Sequence, residues 1–363
     1  MSGAISEREA KVLSIIETAR AKKARFRDKQ ITMAHGAGGK ATQTLIEGLF
    51  VPALGTGTLE AMADAGTVEI DGVRLAMTTD SFVVKPLRFP GGSIGELAVN
   101  GTVNDLAMAG AKPVGLTLSL ILEEGLDSEI LRQEVEAIAA AAGDAGVEIL
   151  GGDTKVVERG HCDGMYICTT GIGQIDERAT QLSPAGLKPG DRILVSGTIG
   201  DHGTAIMLSR GEFELDAHIE SDTCSLWPAA ERLLDAVGTE LRCMRDATRG
   251  GVASVLNELA RASGVAIVVH EREVPINPTV GAAAELLGID PMYVANEGKF
   301  VAFVAPEKAD KALAALRSVP GCEAAAMIGE VRGDPPGMVL VETSFGGRRV
   351  MDQLVGDPLP RIC

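Results

Sequence analysis

Acidic side chains that follow predicted strands are the residues of this sequence best suited to chemistry. The apolar run at 73–79 predicts a strand that delivers Asp80 to its carboxyl end, where α/β proteins gather their ligand sites. Asp80 could hold a metal ion there or cap a turn. A strand predicted at 147–150 leads through two glycines to Asp153 and Lys155. Because these residues are two apart in an extended stretch, they point to one face and set an acid beside an ammonium.

A further acid lies within a predicted helix. Steps of three and four residues from Ile94 give an apolar stripe that runs to about Gly110, and Asp105 falls on that stripe with Asn104 beside it. A carboxylate on a core-facing stripe must be paired, hydrogen-bonded or bound to a metal, because an unsatisfied buried charge strongly destabilises a fold. Asp105 is therefore a candidate functional residue.

Two Gly-rich turns carry further candidates. His35, Gly38 and Gly39 precede a predicted amphipathic helix, whose free N–H groups would favour a phosphate. An ordinary Gly-rich helix cap explains the same residues equally well. Glu297 precedes a glycine just before a predicted strand at 300–304, a position that suits either a functional carboxylate or a strand-entry turn.

A third turn, at 245–251, contains Asp246 and opens onto a helix that is predicted to end near residue 262. Thr248 is a predicted N-cap for that helix. Gly250 and the glycine after it would allow a ligand to approach the helix start closely.

The C-terminus predicts a mobile arm that ends in a thiol. Two prolines in the last eight residues remove backbone donors and disfavour both sheet and helix, and nothing near Cys363 is expected to bury it cheaply. Such an arm could swing into a pocket, be modified there and swing out to another protein; a frayed terminus is the alternative. The five internal cysteines form no Cys-x-x-Cys pair and are expected to be small core residues, so neither a structural metal nor a disulfide is predicted.

Composition narrows the class of protein. The chain has 363 residues, 34 basic and 50 acidic side chains and a net charge of −16, which argues against nucleic acid or an anionic membrane as a partner. No window approaches the roughly 20 apolar residues of a membrane span. Residues 1–28 are charged and helix-prone, unlike a signal peptide, so a cytoplasmic protein is expected.

Alternating strands and helices in both halves predict two α/β domains that face a shared cleft. The predicted divisions are a helical N-terminal extension at 1–30, a first domain at 31–178, a second domain at 179–345 and a mobile tail at 346–363. Low aromatic content, at 3%, and 44 glycines predict cores filled by Ala, Val and Leu and many Gly-shaped loops.

Taken in order, these motifs resemble those of the HypE family of hydrogenase maturation factors. Single motifs are shared with the wider superfamily of aminoimidazole ribonucleotide synthetase and selenophosphate synthetase, whereas the Pro-Arg-Ile-Cys ending is specific to HypE. The resemblance covers nearly the whole chain and rests on His35-Gly-Ala-Gly-Gly, Thr79-Asp-Ser, Gly101-Thr-Val-Asn-Asp, Gly152-Asp-Thr-Lys, Ser196-Gly-Thr-Ile-Gly-Asp-His-Gly, Arg245-Asp-Ala-Thr-Arg-Gly-Gly, Asn296-Glu-Gly-Lys and Pro360-Arg-Ile-Cys.

The resemblance implies a two-domain, PurM-like α/β fold, in which the N-terminal domain sheets pair in a homodimer, the C-terminal domain is an α/β sandwich and the tail is flexible. It implies ATP and Mg²⁺ near the cleft. In this family a HypF-like carbamoyltransferase places a carbamoyl group on the C-terminal cysteine, here Cys363. ATP then drives dehydration of the thiocarboxamide to a thiocyanate. The cyano group passes to iron on a HypC and HypD complex and becomes a cyanide ligand of NiFe hydrogenase.

The chemistry gives these residues roles. Phosphorylation turns the poor amide-oxygen leaving group into an iminophosphate, and loss of the nitrogen protons then expels phosphate and leaves the nitrile. By resemblance, Lys155 and Glu297 supply a cation and a base around Cys363, and which of the two removes the proton stays open. The predicted Mg²⁺ ligands are Asp80, Asp105 and Asp153; with them, the predicted nucleotide contacts are His35, Gly38, Gly39, Asn104, Asp246, Thr248 and Gly250.

The sequence departs from the family pattern at one position, and three other interpretations of the chain are considered. Many family members have Asp where this chain has Ser93, and Glu96 could take over a role in binding. Selenophosphate synthetase needs an N-terminal cysteine or selenocysteine, but the first cysteine here is Cys162. Aminoimidazole ribonucleotide synthetase leaves the terminal thiol unexplained. A non-catalytic scaffold that presents its tail would show no ATPase activity when carbamoylated.

Overall fold

The structure is a computed structural model that describes residues 25–55, 63–211, 218–354, 356 and 361–363. Most of the predicted N-terminal extension lies outside these residues, and the described residues 25–30 are not helical. Among the residues described, none of the helices has both the length and the apolar composition required to span a bilayer. The described α-helices are α1 (Lys40–Leu45), α2 (Val51–Leu54), α3 (Ile94–Met108), α4 (Ser128–Ala145), α5 (Asp201–Ser209), α6 (Trp227–Val237), α7 (Gly251–Ser263), α8 (Pro278–Leu287) and α9 (Ala309–Arg317).

A five-stranded sheet forms the first domain. Its strands are β1 (Gly66–Ile70), β2 (Val73–Phe82), β5 (Ala111–Glu123), β6 (Glu148–Val157) and β7 (Met165–Ile175); β3 (Arg88–Phe89) and β4 (Gly92–Ser93) form a separate ribbon. The strand order is β1-β2-β7-β5-β6, antiparallel except for β5 and β6. Every second residue of β7 is buried, as expected for a sheet with one covered face. Helix α3 packs against β2, β5 and β7, and α4 packs against α3, so the opposite face carries no described helix.

A seven-stranded sheet forms the second domain. Its order is β14-β13-β10-β12-β8-β11-β9, and only β10 and β13 are parallel. All five residues of β11 are buried, because helices cover both faces of the sheet. The strands are β8 (Arg192–Val195), β9 (Leu241–Asp246), β10 (Ala266–His270), β11 (Phe300–Val304), β12 (Ala326–Arg332), β13 (Val339–Glu342) and β14 (Arg348–Met351).

Alternation along β11 divides the second domain into two cores. Phe300 and Ala302 pack with α6 and α9, whereas Val301 and Phe303 pack with α7. The first core continues into the N-terminal domain through Leu106 of α3 and other residues of that helix. This shared core fixes α3 beside β9 and so forms the cleft between the domains. The two-domain α/β fold predicted from the sequence is confirmed.

Two strands are longer than the sequence predicted. β2 continues to Phe82 and β6 to Val157, so Asp80 and Asp153 lie within strands rather than after them. The predicted tail at 346–363 also contains a strand, β14, which pairs antiparallel with β13. The sequence predicted that β6 would end before its two glycines. β6 continues through them because its backbone hydrogen bonds to its one neighbour, β5, are maintained there.

Candidate active site at the C-terminal cysteine

The last three residues lie in the cleft, a position that the predicted arm could reach by swinging into a pocket. Cys363 is only 7% exposed. The Val83 N–H donates to the Cys363 carboxylate at 3.0 Å, and the Lys85 N–H donates to the Arg361 carbonyl at 3.4 Å, so the end of the chain pairs with residues 83–85. The expectation that nothing near Cys363 would bury it is wrong, because it used only the local effect of two prolines. The mobility of the arm stays a prediction. Contacts from residues nearly 280 positions away hold the terminus.

Charged side chains from both domains fasten this docked end. The Arg361 guanidinium donates to the Val83 carbonyl at 3.2 Å and forms an ion pair with Asp163. Arg210 of the second domain donates to the Arg361 carbonyl at 2.7 Å. The docked position of the tail therefore depends on the arrangement of the two domains.

Cys363 contributes to the wall of a cavity of about 290 Å³. The cavity lies between the Gly-rich turn before α1 and the start of α7. Residues on its wall include Gly36, Ala37, Arg249, Gly250, Ala295 and Cys363. The terminal thiol is thus placed beside a space that a small ligand or the end of a larger one can enter.

Arg249 lies on the cavity wall with Cys363 and close to the carboxylate of Asp80. One of its guanidinium nitrogens, Nη2, lies 3.6 Å from Asp80 Oδ1. Negative charge at Cys363, and then at Asp80 and Glu297, raises the pKa of Arg249. The sequence analysis did not select Arg249, although it stands in one of the motifs, because an arginine before two glycines is ordinarily an exposed turn residue.

Glu297 is buried, and one of its carboxyl oxygens, Oε1, has no hydrogen-bond partner among the described residues. Its main chain is held on both sides: the N–H donates to Asp222 Oδ1 and the carbonyl accepts from Asn104 Nδ2, both at 3.0 Å. Burial, and then the charges of Asp80, Asp246 and Asp222, raises the pKa of Glu297 well above that of an ordinary glutamate, and Arg249 opposes this. A carboxyl group of this kind is suited to proton transfer near neutral pH.

The acids that the fold brings together differ from the predicted metal ligands. Carboxylate oxygens of Asp64, Asp105 and Asp246 lie within 4.8 Å of one another. Of the predicted trio, only Asp105 belongs to this group. Asp80 lies near enough for its charge to raise the pKa of both Asp105 and Asp246. Asp153 belongs to a different region, described below.

The three carboxyl groups are short of compensating charge. Burial raises the pKa of Asp64 to about 6 and that of Asp246 to about 8. Burial, and then the charges of the other acids, also raises the pKa of Asp105 well above that of an ordinary aspartate. Asp64 has an ion pair with Arg245 at 2.7 Å, whereas the carboxylate of Asp105 accepts a hydrogen bond from Thr78 Oγ1, also at 2.7 Å. Hard oxygen ligands that repel one another suit a divalent cation such as Mg²⁺.

Mg²⁺ should therefore stabilise the chain more at pH 8 than at pH 6. The folded-state pKa of these acids is raised, so the folded chain retains protons that the unfolded chain has released, and stability falls as pH rises through about 8. We expect the melting temperature without metal to fall by several degrees between pH 6 and pH 8, and MgCl₂ to recover it at pH 8. Differential scanning fluorimetry measures both effects.

The matched control for this prediction is Asp246→Asn, which is neutral like the protonated acid. It should reduce both the pH dependence and the gain from MgCl₂. An equal gain from MgCl₂ in this variant would exclude the group of Asp64, Asp105 and Asp246 as the metal site.

Asp153 and Lys155 lie far from Cys363 within one chain. Both are exposed on β6, at the edge of the first sheet, and Lys155 Nζ lies 2.5 Å from Asp153 Oδ2. The expectation that they share a face is confirmed. Three strand spacings separate β6 from β2, which carries Asp80, so the two strands are about 14 Å apart. The predicted grouping of Lys155 with Glu297 is not formed inside a single copy of the chain.

Two of the predicted nucleotide contacts, His35 and Asn104, have hydrogen-bond partners within the chain. The His35 ring bonds to Asp28 Oδ2 through Nε2 and to the Thr32 N–H through Nδ1, both at 3.0 Å. The Asn104 amide donates to the carbonyls of Cys224 and Glu297 and accepts from the Leu226 N–H. Asn104 therefore positions the main chain of Glu297 across the domain boundary.

The predicted glycines pack closely against other main chains. A Cβ on Gly38 would lie 2.8 Å from the Arg249 carbonyl, and one on Gly39 would lie 2.8 Å from the Leu354 carbonyl. The Gly38 N–H donates to Thr42 Oγ1 at 3.0 Å. The turn is thus a close-packed helix cap at these two positions, while Gly36 opens onto the cavity.

The N-cap prediction at Thr248 is wrong. α7 begins at Gly251 and its N-cap is Gly250, which has a φ of +76° that a residue with a side chain would adopt only with strain. Thr248 instead closes the preceding turn, since its carbonyl accepts from the Gly251 N–H at 2.9 Å. Gly250 itself lines the cavity, as the sequence analysis proposed for a ligand approach.

Comparison with known proteins places this arrangement in a family. Residues 62–175 match the family described as AIR synthase related protein, N-terminal domain, and residues 188–341 match its C-terminal domain. The carbamoyl dehydratase HypE of Bradyrhizobium diazoefficiens is 48% identical over 338 residues, which are 93% of this chain and 97% of that relative. The chain belongs to the HypE family. The resemblance inferred from the motifs is confirmed.

Solved HypE structures have the same fold. One, in a HypE–HypF complex, has a TM-score of 0.81 and 46% identity and covers 85% of this chain and 99% of its own. Another, HypE in complex with ATP, has a TM-score of 0.77 and 44% identity and covers 92% of this chain and 100% of its own. Membership of the HypE family removes selenophosphate synthetase and aminoimidazole ribonucleotide synthetase as interpretations of this chain.

Proposed function

We propose that this chain is an ATP-dependent carbamoyl dehydratase that converts an S-carbamoyl group on its own Cys363 into a thiocyanate for hydrogenase maturation. The observation that supports this most directly is the position of Cys363, whose buried terminus lies on the wall of a cavity beside Arg249. Its relatives are named carbamoyl dehydratases, and one relative of known structure binds ATP.

The overall reaction converts a thiocarboxamide and ATP into a thiocyanate, ADP and phosphate. The carbonyl oxygen attacks the terminal phosphorus of ATP and breaks its bond to ADP. The resulting C–O bond then breaks, so that the oxygen leaves with phosphate, while the nitrogen loses both protons and forms the nitrile. No net water is consumed or released, because the oxygen removed from the amide appears in phosphate.

Side chains around Cys363 match the needs of these steps. Glu297 has a free buried oxygen that can accept an N–H proton, and Arg249 can balance the charge that develops on the phosphoryl oxygens. We place the phosphates between Arg249 and the N-terminus of α7, where main-chain N–H groups favour anions. Bound Mg²⁺ would neutralise phosphate charge, and Asp64, Asp105 and Asp246 are the residues that would hold it.

The tail must leave this position to receive and deliver its cargo. A buried Cys363 cannot enter the active site of a carbamoyltransferase, so we propose alternation between the docked state and an extended state. The HypF-like partner is supported by a relative that was solved in complex with HypF. Transfer of the cyano group to iron on HypC and HypD-like proteins, in the cytoplasm, completes the proposal.

The open face of the N-terminal sheet supports a homodimer. Large apolar side chains are exposed across β1, β2, β5 and β6, and every residue of β6 except the last is exposed. An exposed edge strand next to an apolar sheet face favours pairing with another chain. The exposed apolar residues are Val68, Ile70, Val73, Met77, Val114, Ile149, Leu150 and Val156.

Such a dimer would explain the position of Lys155. Lys155 and Asp153 are remote from Cys363 within one chain but lie on the surface through which we propose that two chains pair. We therefore propose that the second copy supplies Lys155 and Asp153 to the active site. The cation near the transferring phosphoryl group would then come from one chain, and Glu297 and Cys363 from the other.

Shared active sites predict that two inactive variants rescue each other. Lys155→Ala and Glu297→Gln should each block thiocyanate formation. After unfolding together and refolding, half of the dimers are mixed, and one of the two sites in each mixed dimer is intact. We expect about a quarter of the wild-type yield, from the statistics of a two-fold interface. Mixing Lys155→Ala with Asp153→Ala, which lie on the same chain segment, is the control and should give no rescue.

Intact-protein mass spectrometry tests the proposed function. The chain is co-expressed with a HypF-like carbamoyltransferase and measured before and after addition of MgATP. We expect a carbamoyl adduct on Cys363 that loses the mass of one water molecule when MgATP is added. An adduct that forms and never changes would leave the scaffold interpretation in place of the enzyme.

A further inference from the structure

His202 is a buried histidine that the proposed chemistry does not use. It lies in the turn that opens α5, within the motif Ser-Gly-Thr-Ile-Gly-Asp-His-Gly, and has no exposed surface. Its Nε2 lies 3.0 Å from the carbonyl oxygen of Ile362, the residue before the terminal cysteine. Its Nδ1 lies 2.8 Å from Ser221 Oγ.

The partners of the ring determine where its proton lies. A carbonyl oxygen can only accept, so Nε2 must carry the proton that is donated to Ile362. Nδ1 then accepts from the Ser221 hydroxyl, which in turn accepts from the Thr223 N–H at 3.2 Å. Burial lowers the pKa of His202, which favours this neutral form, while Asp222 and the Ile362 carbonyl oppose the shift.

The ring is also fixed in orientation. The Phe89 ring packs edge-to-face against it with centroids 5.6 Å apart. Because the bond donated by Nε2, the bond that Nδ1 accepts from Ser221 and the contact with Phe89 fix three directions, the imidazole presents one donor at one point. The Ile362 carbonyl oxygen occupies that point.

We propose that His202 is a positioning residue, which holds the Ile362 carbonyl and so sets the docked state in which Cys363 lies on the cavity wall near Arg249. The proposal rests on the proposed function only in its consequence for catalysis. Its structural claim, that His202 favours tail docking, can be tested without any carbamoyl chemistry.

His202 is expected to favour the docked tail because an unsatisfied Nε2–H donor in a buried pocket is unfavourable. When the tail leaves, the Nε2–H of His202 loses its acceptor inside a buried pocket, unless water enters. Docking restores the bond. Loss of one such bond is expected to shift the docking equilibrium by about tenfold towards the extended state. The fastening by Arg361 and Arg210 remains in that case, so the tail still docks but for less of the time.

The experiment compares His202→Gln with His202→Asn. Gln places an amide N–H close to the position of Nε2 and can still donate to Ile362, whereas Asn reaches only to the position of Nδ1. A maleimide attached to a polyethylene glycol chain serves as the probe, since it is too large to enter a cavity of about 290 Å³. Peptide mass mapping measures its reaction at Cys363, and the exposed Cys224 in the same sample serves as the internal reference.

We expect His202→Asn to react about tenfold faster at Cys363 and His202→Gln to react at nearly the wild-type rate, with Cys224 unchanged in both. On carbamoylated protein, His202→Asn should lower the rate of dehydration at saturating MgATP without changing the MgATP concentration needed for half-maximal rate. Equal reaction of Cys363 in wild type and His202→Asn would overturn the proposal.

Two further outcomes distinguish the docking proposal from a packing role of His202 and from failure of the proposed function. If both variants expose Cys363 equally and both melt at lower temperature, His202 is a packing residue and the proposal fails. If wild type never dehydrates its carbamoyl group, the proposed function fails, but the maleimide rates still test docking by His202.

Discussion

Cys363→Ala is expected to form no thiocyanate at all. Thiocarboxamide formation needs a sulfur nucleophile, and the alanine side chain offers none, so neither the carbamoyl adduct nor its dehydration product should be detected by mass spectrometry. The expected loss is complete, since no other thiol takes the place of Cys363 on the cavity wall.

The same variant should keep its fold. The terminus is held by main-chain groups and by Arg361, namely the Val83 N–H on the terminal carboxylate and the ion pair with Asp163, and none of these needs the Cys363 sulfur. We expect the melting temperature to change by less than about 3 °C, the order expected for about 1 kcal/mol in a protein of this size. Differential scanning fluorimetry with and without MgATP checks the fold and nucleotide binding.

Cys224→Ser is the matched control for this prediction. Cys224 is the exposed internal cysteine, and its removal should leave the yield of thiocyanate unchanged. A carbamoyl adduct on Cys363→Ala, or its loss from Cys224→Ser, would show that the modified thiol is not the terminal one.

The sequence could predict those acids of the site that interrupt a local pattern or stand at the end of a predicted element. Asp105 interrupts an apolar helical stripe, and that conflict between position and polarity is visible without a structure. Glu297 and Asp246 stand where a strand meets a turn. The fold does bring Asp80, Asp105, Asp246 and Glu297 within electrostatic reach of one another, as their mutual effects on pKa show.

Residues that depend on contacts between distant segments could not be predicted. Asp64 follows no predicted strand and gave no signal; in the fold its carbonyl accepts from Thr78 Oγ1, and its carboxylate pairs with Arg245 of β9 across the domain boundary. Docking of the tail depends in the same way on Val83, just after β2, and on His202 and Arg210 at the two ends of α5. Hydrophobic periodicity specifies which face of an element is buried, but not which buried faces meet.

Lys155 shows a different limit. The sequence placed it correctly beside Asp153 on one face of a strand, but its assignment to Cys363 cannot be satisfied within one chain. The spacing of residues in one sequence does not indicate which residues of a second copy would contribute to its active site. The observation that suggests a second copy is structural, namely an edge strand with nearly every residue exposed beside an apolar sheet face.

Glu297→Gln is expected to slow dehydration by about 10²- to 10⁴-fold, the usual contribution of a general base. The amide has the shape of the protonated acid, which is the form that burial favours at this position, so the fold should be retained. Carbamoylation of Cys363 should also be retained, because we propose that it takes place with the tail outside the cavity. Single-turnover mass spectrometry of the carbamoylated protein after addition of MgATP measures the rate.

The pH dependence of the same variant separates a base from a residue that only packs. Glu297 must be ionised to accept a proton, and its pKa is raised above that of an ordinary glutamate, so the wild-type rate should rise with pH over a more alkaline range than an ordinary glutamate would give. In Glu297→Gln the small remaining rate should lack this rise. Glu134→Gln is the control, since Glu134 is equally buried but pairs with Arg88 away from the cavity, and it should keep the wild-type rate and pH dependence. A loss of less than tenfold in Glu297→Gln would assign the base to Lys155 of the second copy.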